Sequence, residues 1–208
     1  MKLIITKHYG GVLIACGLLA GQQYYNAFSL VGPLRKMIFK ETFMKNFEES
    51  HKMVFNTPPS PFGYPDMGAG RYSRMLPYQE WYKFNVVQRI HGNSVEHLSH
   101  CIPLMMLCGL FYPKIVTSLG LCILAGREAY MSGYLKGGPD SPVRLAGGAA
   151  VLAPEIIMTG MLLGIGVWRG FFKRPLTKFG PIKRRNTSLI DQQKAKILKE
   201  EKYGIKLP

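Results

Sequence analysis

The sequence predicts an all-α protein: a four-helix transmembrane bundle with a long first interhelical loop and a basic C-terminal tail. Two observations carry this. Residues 9–32, 84–112, 114–135 and 144–168 are apolar segments, each close to the roughly 20 residues that span a hydrocarbon core of about 30 Å. Two of these segments also carry polar stripes at helical spacing. Arg89, Asn93 and Glu96 recur at i, i+4 and i+7, and Arg127, Tyr130 and Tyr134 at i, i+3 and i+7. At about 100° per residue each set falls on one helical face. Charged groups at membrane depth cost a few kcal/mol or more, so such faces line a cavity, meet a partner or hold a polar ligand.

Mean hydropathy conceals the spans: it is +0.03 over the chain, because apolar segments are averaged against a formal net charge of +15. The first span (YGGVLIACGLLAGQQYYNAFSLVG) follows Lys2 and Lys7. No small-x-small cleavage site ends its apolar run, so it reads as a retained span rather than a secretory signal. It also lacks the Arg- and Ser-rich character of a cleaved mitochondrial presequence. The loop 33–83 is mixed in charge, with eight Lys/Arg against five acids. Its centre, NTPPSPFGYPDMGAG, is rich in Pro and Gly and predicts irregular backbone.

The second and third spans contain too many polar residues to stand alone in lipid. They require a bundle or a neighbouring subunit on their polar faces. Cys16, Cys101, Cys108 and Cys122 fall in or against spans without metal or redox spacing, and read as inert apolar side chains. Gly17/Gly21 and Gly160/Gly164 are small-xxx-small pairs that favour close helix approach. Pro154 is a tolerated kink, and Glu155 is an acid inside the fourth span with no partner evident in the sequence. A metal set of Glu96, His97 and His100 is disfavoured, because adjacent helical residues point about 100° apart. No metal is expected, and the two histidines read as hydrogen-bonded at a helix interface.

These spans divide the chain into a membrane domain, residues 1–168, and an extramembrane tail, 169–208. Four spans place both termini on one side of the bilayer, and the positive-inside rule puts that side in the cytosol or a mitochondrial matrix. The tail carries twelve Lys/Arg against three acids, so nine of the fifteen net positive charges lie there. Its basic run Lys183-Arg184-Arg185 reads as solvated or facing lipid headgroups. Nucleic acid is not an expected partner, because no aromatic platform or recognition module accompanies the charge. Residues 187–202 predict a short helix with Ile190, Ile197 and Leu198 on one side.

FNVVQRIHGNSVEHL (84–98) followed by YPKIVTSLGLCILAGREAYMSGYLKGGPDSPVR (112–144) resembles the MAPEG family, the membrane-associated proteins of eicosanoid and glutathione metabolism. Within it the microsomal glutathione S-transferase type 3 group is the most similar. TKHYGGVLIACG (6–17) and Tyr64-Pro65-Asp66-Met67 resemble that group as well, and together the likeness covers residues 1–35 and 64–168. It implies that Arg89, Asn93 and Glu96 hold glutathione, with His91 at a position where some members have a polar contact. It also implies that Arg127, Tyr130 and Tyr134 complete the clamp and that Arg144 lies beside the glutathione sulfur. Guanidinium groups suit the tripeptide's two carboxylates, and Glu96 suits its α-amine. A fixed cation such as Arg144 favours the thiolate needed for attack.

By the same resemblance the protein is a homotrimer with each site between two subunits; the sequence leaves open a mitochondrial or an endoplasmic-reticulum membrane. The activity implied is that of a glutathione transferase or peroxidase acting on lipophilic electrophiles or lipid hydroperoxides. Without a ligand, Arg89 and Glu96 would neutralise each other or a neighbouring span, and the two tyrosines would be interfacial aromatics. The loop 33–63 is longer than the family usually has, and the tail has no counterpart. They motivate a second expectation, an accessory subunit of a hetero-oligomeric membrane complex such as a mitochondrial inner-membrane respiratory assembly, docked through loop 33–63 and tail 169–208.

Overall fold

A computed structural model describes residues 7–172; the predicted helix 187–202, the basic run at 183–185 and the proposed docking role of the tail lie outside the described residues. Apolar periodicity dictates the first helix, α1 (Tyr9–Tyr25). Val12, Ala15, Cys16 and Leu19 recur at i, i+3, i+4 and i+7 and are all buried. A π-helical stretch, Asn26–Val31, and α2 (Gly32–Ile38) carry the helical backbone beyond the expected end of the span. Such stretches are rare and occur mostly as single-turn bulges in a helix; Asn26, where this one begins, is buried.

The long helices are α5 (Tyr78–Gly109), α6 (Pro113–Gly137) and α7 (Pro142–Phe172). Pro113 and Pro142 each open a helix, where the missing N–H costs nothing. Gly138 at φ +72° ends α6 in a conformation other residues resist. The 32 residues of α5 extend about 48 Å at 1.5 Å per residue, more than a bilayer core requires. Among the described residues there is no strand, and α7 is the one helix both long and apolar enough to cross a membrane by composition. The polar stripes dilute α5 and α6, and the π-helical stretch interrupts the apolar run of α1. Tyr9, Val12, Leu19, Cys101, Met105, Cys108, Val116, Ile123, Val151 and Met158 form the bundle core.

The first loop is more ordered than its composition predicts. The Pro/Gly-rich centre from Asn56 to Gly70 is irregular, as expected, but it is preceded by α3 (Glu41–Met44) and α4 (Glu48–Phe55). Ile38, Phe39, Met44, Leu76 and Phe84 make a second hydrophobic cluster beneath it. Arg35, fully buried, is the pin: it donates to the carbonyls of Phe62 and Asp66 and stacks 4.3 Å from the Tyr64 ring centroid. The Asp66 carboxylate accepts from the amides of Gly68 (2.8 Å), Gly70 (3.0 Å) and Ser73 (2.8 Å) and from the Ser73 hydroxyl (2.7 Å).

Burial alone would raise the Asp66 pKa, but the bonds from Ser73, Gly68 and Gly70 outweigh it and hold the carboxyl below its usual range. A depressed folded-state pKa contributes stability that is present above the unfolded value of about 3.9 and lost as pH falls through the folded value. Hydrogen exchange at the Gly68, Gly70 and Ser73 amides should therefore stay protected at neutral pH and lose protection only in that acid window. Asp66→Asn should destabilise this loop by about 1–3 kcal/mol at neutral pH.

Candidate functional site

Glycine sets the geometry where α6 meets α7. A Cβ at Gly133 would collide with the Arg144 backbone, and one at Gly147 with the Tyr130 backbone. Because the obstacles are main chain, no rotamer change relieves them, and the two helices approach this closely only through hydrogen at those positions. The pairs singled out in the sequence behave differently: a Cβ on Gly17, Gly21, Gly160 or Gly164 would meet nothing within 4 Å. They face outward from the protomer, so they do not bring its own helices together.

That close approach lays Arg144 across the α6 tyrosines. Its guanidinium carbon lies 4.9 Å from the Tyr134 ring centroid and 5.3 Å from that of Tyr130, within cation–π range. The rings themselves meet edge to face at 5.6 Å. Nη1 donates to the Pro139 carbonyl, while Nε is buried without a hydrogen-bond partner. Arg144, Tyr130 and Tyr134 are thus brought together with a donor left over.

On α5, Arg89 and Glu96 approach to 4.0 Å, with side chains 60% and 63% exposed. Half-buried Asn93 lies on the same face. An ion pair this open is worth little in itself. The face is outward, available to a neighbour or ligand.

His91 and Arg127 are placed elsewhere. Two residues of helix rotate about 200°, so His91 points away from Arg89 and toward α1. There Gln23 Nε2 donates to His91 Nδ1 at 3.1 Å, and Arg127 Nη2 donates to Gln23 Oε1 at 3.3 Å. Arg127 is buried in the bundle, so this chain of contacts ties α6 to α1 and α5. Gln23 belongs to no recognised motif, and the signal for it in the sequence is a Gln pair inside an apolar span.

Glu155 acquires the partners the sequence did not supply. Its Oε2 accepts from His97 Nδ1 at 2.7 Å and from His100 Nε2 at 3.1 Å. Glu96, weighed with these histidines in the sequence, points to Arg89 instead. The i, i+3 spacing of His97 and His100 puts both rings on one side of α5, opposite α7.

A family model for the MAPEG family matches residues 12–164. The chain belongs to the MAPEG family. Membership makes it an integral membrane protein of a group concerned in general with membrane-associated glutathione-transferase and eicosanoid-type functions. No solved structure matches the chain.

If glycine contact positions Arg144, Gly147→Val should drive α6 and α7 apart. The expected cost is about 1–3 kcal/mol, as for overpacked sites, read as a lowered thermal midpoint in detergent. Gly160→Ala, which meets open space, should leave that midpoint unchanged within the bilayer-mimicking micelle.

Proposed function

We propose that this MAPEG protein binds glutathione and directs its thiolate at lipophilic electrophiles or lipid hydroperoxides, as in the microsomal glutathione S-transferase type 3 branch it resembles. The observation that carries the reading is Arg144 stacked on Tyr130 and Tyr134 with Nε buried and unpartnered. A buried donor on a permanent cation suits a developing thiolate. The outward face of Arg89, Asn93 and Glu96 offers the complementary groups, a guanidinium for a glutathione carboxylate and a carboxylate for its α-amine. Because that face is exposed in the protomer, the site is one shared between copies: α5 of one subunit faces the Arg144 corner of its neighbour in a homotrimer. His91 and Arg127 then support the site from the bundle interior through Gln23 rather than by touching the tripeptide.

In the transferase reaction the thiol proton leaves, the thiolate sulfur bonds to the electrophilic carbon, and the leaving group or adduct takes up a proton. In the peroxidase reaction two glutathiones and one hydroperoxide give glutathione disulfide, an alcohol and water. Both begin with the thiolate, which Arg144 stabilises by fixed charge in a water-poor setting.

Calorimetry of the purified protein tests the reading. Wild type should bind glutathione, and Arg89→Ala should abolish binding. Arg144→Ala should retain binding but lose the ultraviolet absorbance of the bound thiolate, with a fall in turnover of about 10²–10³-fold. A folded wild type that binds no glutathione would overturn it.

One observation favours a second reading, an accessory subunit of a larger membrane complex. Met53, Val54 and Phe55 on α4 of the inserted loop are exposed by 76%, 72% and 64%, a small apolar surface that glutathione chemistry does not use. Gently extracted native particles decide between the readings. A mass of three chains supports the enzyme, and co-migration with unrelated proteins supports the subunit.

A further inference from the structure

Glu155 is 3% exposed, on the α7 face that packs toward α5. Its Oε2 already takes both histidine contacts, while Oε1 is buried without a hydrogen-bond partner. The three ligand atoms of His97, His100 and Glu155 lie within 4.8 Å of one another. Two imidazoles at i, i+3 on one helix with a carboxylate from the facing helix is a donor set from which metal sites are built inside helical bundles.

We propose that His97, His100 and Glu155 form a binding site for a zinc-class divalent cation, inside the bundle and with a coordination position open beside His100. The inference uses none of the glutathione residues and stands independently of that reading. Zinc binds imidazole nitrogen and carboxylate oxygen at about 2.0–2.2 Å, so two ligands of one ion lie at most about 4.2 Å apart. The two contacts to Oε2 are inside that limit. The His100 side chain is 51% exposed and is free to turn and bring its nitrogen in.

An imidazole in its neutral form offers the metal a lone pair once its N–H sits on the other ring nitrogen. Two nitrogens and one oxygen favour zinc, copper, nickel or iron over magnesium and calcium, which prefer oxygen alone. Arg127 is close enough to Glu155 for the two charges to attract. Its guanidinium is engaged toward Gln23, whereas Oε2 faces the histidines. Three protein ligands leave at least one position for water or another donor, and the exposed edge of His100 is where it would enter.

The full-length chain, purified without a polyhistidine tag and treated with chelator, is titrated in detergent with zinc by calorimetry and with cobalt by visible absorption. Wild type should take up one ion per chain and show cobalt ligand-field bands. His100→Gln, at the half-exposed ligand and least apt to disturb folding, should weaken zinc at least about tenfold, and Glu155→Gln should do the same. His51→Gln, in the extramembrane loop, should change nothing. A folded wild type that takes up no zinc, or uptake that persists unchanged in His100→Gln and Glu155→Gln, would show the triad to be a hydrogen-bonded helix contact only.

Discussion

Burying two opposite charges in an apolar bundle is the constraint on which this structure turns. Arg127 on α6 and Glu155 on α7 are both inside, where an unpartnered charge is costly. Each is met by polar side chains from other helices: Arg127 by Gln23 and through it His91, Glu155 by His97 and His100. These contacts run from α5 through α1 to α6 and from α5 to α7, so they fix the register of α1, α5, α6 and α7. Apolar contacts alone tolerate sliding by a turn, whereas a bridge between a specific Gln and a specific Arg does not. The charged groups therefore act first as positioning elements for the faces around them.

The candidate site inherits its order from that frame. With α6 and α7 in register, Gly133 and Gly147 meet backbone to backbone, and Arg144 comes to rest on Tyr130 and Tyr134. With α5 turned so that His91 faces inward, Arg89 and Glu96 face outward. Neither half resembles a closed pocket, because each presents polar groups to a surface that a neighbour can cover. The inserted loop is held by its own small core and by Arg35 of α2, whose guanidinium bonds the loop carbonyls and lies over Phe84 of α5.

Much of this was legible in the sequence, for physical reasons that differ by element. The helices were visible because long apolar runs predict them, and the outward stripe of α5 because helical periodicity converts spacing directly into a shared face. Partner identity was not visible. Glu155 looked solitary because its two histidines lie on another helix more than fifty residues away, and sequence spacing carries no information about interhelical register. His91, which the resemblance sets among the polar contact residues, lies on the other side of α5 from Arg89, as helical rotation requires. The glycines that matter were missed because a small-xxx-small pattern marks where approach is permitted, and only tertiary packing determines where it occurs. The helices flanking the Pro-rich loop centre are stabilised by the aromatic cluster of Phe39, Phe43, Phe47 and Tyr72, which no local pattern announces.

The central claim is that the outward face of α5 and the Arg144 corner come from different copies of the chain. Intersubunit complementation tests it most directly. Arg89→Ala and Arg144→Ala chains, each inactive as a homo-oligomer, are co-expressed, and mixed particles carrying both are isolated by two different tags. The account predicts that mixed oligomers regain glutathione turnover, because some interfaces then unite an intact Arg89 with a neighbour's intact Arg144. Mixed oligomers as inactive as their parents would contradict it and return the whole site to a single chain.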